Sequence, residues 1–219
     1  MEERINRDDF TTGGAVSIAN IAMQEEKFEE LISGLLDRQF GTVARFIPTE
    51  IEAALRAQLQ AYDAAGQMFP AGVGQHTNYA RNEQLRGDVI KWLEKENSAA
   101  EKAFLEYIEA FIEYLNKTCF TGINSYEFHF ARYEAGSFYK RHRDQFKTDT
   151  GRKFSLVIYL NEAWTADDAG QLLIYLDDQE ISILPEGGRA TFFRSDEIDH
   201  EVRPTNRNRL SIAGWLKRI

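Results

Sequence analysis

The stretch Tyr126-Glu127-Phe128-His129-Phe130-Ala131 decides the fold class. Its aromatic residues fall on every second position, the spacing of a strand with one buried face, whereas before Gly122 the apolar residues recur every three or four positions. Downstream, residues 154–160, 171–175, 181–184, 190–194 and 209–216 read as further strands. They are separated by Asp177-Asp178, Pro185-Glu186-Gly187-Gly188 and Thr205-Asn206-Arg207-Asn208. Several short strands at this spacing predict a barrel or jelly roll.

Upstream, Phe28, Leu31, Ile32, Leu35 and Leu36 form one apolar stripe and predict a helix over 24–36 that Gly41 ends. A strand is expected over 42–47, then a second helix opened by a capping box at Thr49-Glu50-Ile51-Glu52. A third helix opens at Ser98, with Glu101 three positions on, and carries Phe104, Ile108, Phe111, Ile112 and Leu115. The three helices are expected to cover one face of a sheet. No Pro/Ser-rich linker divides the halves, so the expectation is a single α+β domain over 1–219. In it, 1–122 are expected to give mainly helical support and 123–219 the jelly-roll core.

The chain has 219 residues, 43% hydrophobic and 28% charged, which suits a soluble domain with a sizeable core and excludes disorder, collagen and coiled coil. A net charge of -9 disfavours nucleic acid and anionic lipid as partners. The one cysteine, Cys119, has no internal partner, and no apolar run is long enough to span a membrane. The acidic start Met1-Glu2-Glu3-Arg4 lacks the pattern of a secretory signal, so a reducing, cytoplasmic compartment is expected.

Chemistry concentrates in His142-Arg143-Asp144. Residues two apart in an extended segment share a face, so His142 and Asp144 are placed to bind one metal. Taken alone, such a triplet is better explained as a surface turn. A further His, His200, followed by Arg209 in a strand, adds weight. Two imidazoles and one carboxylate make the facial triad of non-haem Fe(II) oxygenases, which leaves coordination positions open. Arg209 offers a permanently charged planar fork for a carboxylate, and Ser211 shares its strand face. Leu210 and Ile212 then face the packing side.

The motifs Ala131-Arg132-Tyr133, Tyr139-Lys140-Arg141-His142-Arg143-Asp144, Ile158-Tyr159-Leu160-Asn161, Ala169-Gly170-Gln171-Leu172 and His200-Glu201-Val202-Arg203-Pro204 continue to Arg209 and Trp215. With Arg86-Gly87-Asp88-Val89-Ile90-Lys91-Trp92 upstream, residues 86–215 resemble the 2-oxoglutarate- and Fe(II)-dependent oxygenases, specifically the prolyl 4-hydroxylase branch with its oxygen-sensing and bacterial members. The resemblance implies a double-stranded β-helix (jelly roll) supported by N-terminal helices. It implies His142, Asp144 and His200 as iron ligands, and Arg209 and Tyr159 as partners of the 5-carboxylate of 2-oxoglutarate. Tyr133 and Leu172 then line the cosubstrate and metal pocket. Asp88, Arg152, Tyr139 and Trp215 fall at the substrate rim, where Asp88 and Arg152 are expected to pair. Taken singly, Tyr133, Tyr139 and Tyr159 equally suit half-buried strand positions.

Two departures stand out. Ala169 occupies the first Gly of the family's Gly-Gly-x-Leu turn, a change expected to matter little because Ala tolerates most backbones that are not left-handed. Ala213 stands where oxygen-sensing relatives carry Thr. His129 and His76 are assigned no role. The implied activity is peptidyl-proline 4-hydroxylation of a partner protein with Fe(II), 2-oxoglutarate and O2, and ascorbate to rescue oxidised iron. By resemblance to bacterial relatives, a translation factor is a conceivable target. Residues 145–151 and 70–82 are candidate lids. The alternatives are hydroxylation of a free amino acid or other small molecule, and a non-catalytic jelly-roll binding module. Nucleic-acid demethylation is disfavoured by the acidic balance.

Overall fold

The computed structural model describes residues 13–72, 84–145, 150–177 and 179–219. His76 and most of the expected lids, 73–82 and 146–149, lie outside the described residues. In chain order the elements are α1 (Gly13–Arg38), β1 (Phe40–Val43), α2 (Thr49–Ala64), β2 (Phe69–Pro70), β3 (Asp88–Trp92), α3 (Ala99–Cys119), β4 (Ser125–Tyr133) and β5 (Tyr139–His142). They continue as β6 (Arg152–Tyr159), a 3-10 turn (Ala166–Asp168), β7 (Leu172–Leu176), β8 (Gln179–Ile183), β9 (Ala190–Arg194), β10 (Asp199–Val202) and β11 (Arg209–Lys217).

The strands form two antiparallel sheets, ordered β1-β9-β6-β11-β4-β3-β2 and β5-β10-β7-β8. This is the expected jelly roll. Phe128, Phe130, Leu156, Ile158, Phe192, Ile212 and Leu216 of the larger sheet pack against Phe28, Leu31, Leu55, Leu59, Phe104, Ile108 and Phe111 of the helices. The helices therefore do cover one face. A second cluster joins the two sheets through Tyr133, Tyr159, Phe193, Leu172, Ile174, Ile183 and Val202. Ser98 caps α3 as expected, its Oγ accepting from Glu101 N at 3.1 Å. Glu101 itself is buried yet satisfied, accepting from Tyr62 Oη at 2.7 Å and from Glu94 N and Asn97 Nδ2 at 3.0 Å each.

Four local expectations are corrected. α1 stops at Arg38 because Gln39 turns the chain at φ 68°, and Gly41 lies inside β1. Its role is close approach: a Cβ there would meet Leu31 O at 2.0 Å. The strand expected over 42–47 ends at Val43, where the chain turns through Arg45 at φ 53° and sends Phe46 and Ile47 into the helical core. Thr49 is the first residue within α2 and caps nothing. Pro48 holds the flanking position with extended ψ and no side-chain bond. The N-terminal half also lends β1, β2 and β3 to the larger sheet, of which β2 and β3 carry too short a pattern to stand out. No helix among the described residues is long and apolar enough to cross a membrane.

Candidate active site

β10 runs between β5 and β7, which sets His200 directly opposite His142 on the neighbouring strand. Asp144 follows two residues beyond, where β5 has ended. His142 Nε2 lies 3.4 Å from Asp144 Oδ1, and His200 Nε2 lies 3.5 Å from Asp144 Oδ2. The donor atoms of all three fall within 4.8 Å of one another. The other ring nitrogens explain the orientation. His142 Nδ1 is 2.7 Å from Lys140 O, and His200 Nδ1 is 3.3 Å from Ile198 O. A carbonyl only accepts, so each Nδ1 carries the proton and each Nε2 keeps its lone pair for the space beside Asp144.

The protonation states suit the same use. Burial pushes His200 down to about 4, so its ring is neutral at physiological pH. Burial opposes ionisation of Asp144, but His200, His142 and the Ser155 hydroxyl more than offset it and hold the carboxyl well below its ordinary range. Ser155 Oγ donates to Asp144 Oδ2 at 2.7 Å and lies 2.8 Å from Ser195 Oγ. Two imidazoles whose Nε2 atoms face one fixed carboxylate fit a divalent transition metal with vacant coordination positions.

A cavity of about 220 Å³ opens from this cluster. Arg209, 1% exposed, lies at its inner end, with Nε donating to Gly170 O at 2.9 Å and Nη1 to Ser211 Oγ at 3.3 Å. Its guanidinium carbon is 5.2 Å from the Tyr133 ring centre and 5.1 Å from that of Tyr159. The Tyr159 hydroxyl is buried without a partner, and burial pushes its pKa up, so the phenol remains a proton donor. A buried cation beside an unpartnered phenol is what a carboxylate ligand would complete. Tyr133, Leu172 and Ser211 line the cavity, and Tyr159 is buried beside Arg209 without lining it.

The turn that carries Gly170 is strained. Ala169 adopts φ 56° and ψ -143°, a conformation that favours glycine, so replacing glycine there is not neutral. This reverses the expectation that the substitution matters little, because the backbone is left-handed at that residue. Strain of this kind costs about 1–3 kcal/mol.

At the mouth, the Tyr139 ring stacks on His142 with centroids 3.6 Å apart, and Arg86 covers the other side of Tyr139 at 4.2 Å. The expected Asp88–Arg152 pair does not form. Asp88, 3% exposed, is taken by Arg86 through two bonds of 2.7 and 2.6 Å, and so lies beneath the rim. Burial works against the Arg86 charge, and Asp88 more than restores it. Arg152 instead donates twice to Glu127 Oε1, at 2.9 and 2.7 Å, and lies 3.4 Å from the Trp215 ring centre. It also donates to Asp144 O at 3.2 Å, so it braces the loop that carries that carboxylate. Arg152, Tyr139 and Trp215 do line the cavity.

Sequence reasoning missed Ser155, Arg86 and His129 in the cavity environment. Ser155 was within reach: it shares a strand face with Val157 and Tyr159, so period two from Tyr159 points to it. His129 lines the cavity opposite Ala213, 3% exposed.

Comparison with known proteins agrees with the geometry. A family model described as the 2OG-Fe(II) oxygenase superfamily matches residues 128–217. A prolyl-4-hydroxylase from Pseudomonas putida is 36% identical over 87% of this chain and 99% of its own, with a TM-score of 0.81. At the level of fold alone, a Trichoplax adhaerens prolyl hydroxylase, solved with a hypoxia inducible factor oxygen degradation domain peptide fragment, is 24% identical with a TM-score of 0.82. The match covers 91% of this chain and 92% of that one. A viral collagen prolyl hydroxylase from Paramecium Bursaria Chlorella virus-1, in its 2OG complex, shares the fold at 16% identity and a TM-score of 0.59, over 84% of this chain and 98% of its own. The chain thus belongs to the prolyl hydroxylase family of 2-oxoglutarate- and Fe(II)-dependent oxygenases, and is a dioxygenase with Fe(II) as its metal and 2-oxoglutarate as its cosubstrate.

Proposed function

We propose that this dioxygenase hydroxylates C4 of a prolyl residue within a peptide or protein. In this reading His142, Asp144 and His200 hold the metal, and Arg209, Tyr159 and Ser211 receive the distal carboxylate of 2-oxoglutarate. The observation that carries it is the convergence of two imidazole lone pairs on one buried carboxylate, in a cavity whose inner end holds a buried arginine. When bound, iron and 2-oxoglutarate supply the oxidising power, O2 being consumed as the 2-oxo acid loses CO2 to become succinate and one oxygen atom goes to the substrate C–H bond.

The chain's own residues do the rest. Lys140 O and Ile198 O fix the tautomers of the two imidazoles, and Ser155 fixes the carboxylate. Arg209 sets the direction from which the cosubstrate approaches, since a bidentate fork accepts a carboxylate in few orientations. Tyr139 and Trp215 narrow the mouth and limit water near the reacting atoms. The peptide class is supported by the 36% identity to a prolyl-4-hydroxylase over nearly the whole chain.

The test is mass spectrometry of host lysate proteins incubated with purified enzyme, Fe(II) and 2-oxoglutarate. One added oxygen on a proline of a discrete protein is expected. Succinate release with oxygen appearing only on free amino acids or other metabolites would move the substrate to a small molecule.

A further inference from the structure

His129 is a polar side chain at the mouth-side wall of the cavity that has no task in the scheme above. Its strand neighbours Phe128 and Phe130 face the helices, and His129, Ala131 and Tyr133 face the cavity. β4 and β11 register these three against Ala213, Ser211 and Arg209 in turn. The wall is therefore tiered, with Arg209 and Tyr133 innermost, Ser211 and Ala131 next, and Ala213 and His129 beyond. Two tiers along a strand amount to about 13 Å. That is farther than a five-carbon dicarboxylate anchored at Arg209 extends, so His129 borders the space left for the substrate.

The ring is 3% exposed and held between Trp92 and Trp215, with centroids at 5.1 and 5.5 Å. Its Nδ1 is buried without a hydrogen-bond partner, as is the neighbouring Trp215 Nε1, and among the described residues Nε2 makes no hydrogen bond either. Around it the wall is Ala131, Ala213, Val157, Ile90 and the two tryptophans. The polar neighbours are engaged elsewhere, Arg86 with Asp88 and Arg152 with Glu127. An imidazole in an apolar wall with Nδ1 buried and unpaired is costly unless a ligand completes it.

We infer that His129 is a specificity-determining residue whose ring N–H donates a hydrogen bond to a main-chain carbonyl oxygen beside the target proline of a bound peptide. This rests on the peptidyl-proline reading. The charge state agrees. Burial and the neighbouring Arg86 and Arg152 push His129 down to about 3 against the opposing pull of Asp88 and Asp144, so the ring is neutral. A neutral donor suits an amide oxygen, whereas the carboxylate of a free amino acid calls for a cation.

The experiment uses the iron-loaded enzyme, 2-oxoglutarate and a library of heptapeptides with a central proline, capped at both ends, with free L-proline alongside. The best peptide is remade with a thioamide at each carbonyl flanking the proline, because sulfur accepts hydrogen bonds poorly. In the wild type one thioamide raises the peptide KM roughly tenfold. His129→Leu raises the KM of the parent peptide by a similar factor and is indifferent to that thioamide, while His129→Gln, which keeps a donor, restores most of the loss. The 2-oxoglutarate KM moves less than the peptide KM. An unchanged peptide KM in His129→Leu, or a wild type indifferent to both thioamides, overturns the inference while peptide oxidation stands. If His129→Leu does not fold, the wild-type thioamide result alone decides. A wild type that oxidises free proline and no capped peptide overturns the peptide reading and this inference together.

Discussion

The two faces of the seven-stranded sheet are built from the same strands and obey opposite rules. Toward the helices, β4, β6 and β11 present Phe128, Phe130, Leu156, Ile158, Ile212 and Leu216, all essentially inaccessible and packed ring to ring, as in the 5.5 Å edge contact of Phe128 with Phe104. Toward the smaller sheet, they present His129, Tyr133, Ser155, Tyr159, Arg209, Ser211 and Trp215, and the atoms Tyr159 Oη, His129 Nδ1 and Trp215 Nε1 stay buried without partners. One face maximises packing, and the other withholds partners that a ligand can supply. Stability and chemistry are thus separated by a one-residue step along each strand.

Substitutions on either face test that separation. The largest effect is expected from Asp144→Ala, which abolishes succinate formation and Fe(II) binding while barely moving the urea midpoint of the metal-free protein. A large drop in that midpoint would show the two faces to be coupled. On the helical face, Phe111→Ala removes a ring in contact with Phe28, Phe46 and Phe192 and costs about 3–5 kcal/mol in denaturant unfolding, with the 2-oxoglutarate KM of the remaining folded enzyme unchanged. Arg209→Ala weakens 2-oxoglutarate binding by about 3–5 kcal/mol, because the cosubstrate carboxylate is left buried without its cation, and calorimetric titration reads this directly. Ser155→Ala frees the Asp144 carboxylate and lowers metal affinity roughly 10–100-fold in a competition assay with a chelator. The smallest effect carries the opposite sign. Ala169→Gly relieves the positive φ and raises stability by about 1 kcal/mol, the entropy of a more flexible unfolded chain cancelling part of the gain.

The sequence made some features legible and hid others for physical reasons. Period two after Gly122 and the resemblance together pointed to the jelly roll, and His142, Asp144, His200 and Arg209 do meet at one cavity. Pairing Asp88 with Arg152 failed because sign complementarity between distant residues ignores nearer competitors. Arg86 is two residues from Asp88 and holds it bidentately, and Glu127 on β4 claims Arg152. Gly41 looked like a helix stop because a glycine that admits a helix backbone leaves the same letter as one that ends a helix. Ala169 looked harmless because composition carries no φ. His129 looked like an ordinary strand residue, since what distinguishes it is the set of partners it lacks, and no one-dimensional pattern reports that.

β5 is an edge strand, registered against β10 by only two residue pairs with a bulge between them. An ion gripped by His142, Asp144 and His200 would rivet this edge to an interior strand and close a loop containing β6, β7, β8 and β9. Such a rivet removes freedom from the unfolded chain much as a disulfide does, in a protein whose one cysteine has no partner for one. Iron supply would then govern how long each molecule survives proteolysis, as well as how fast it turns over.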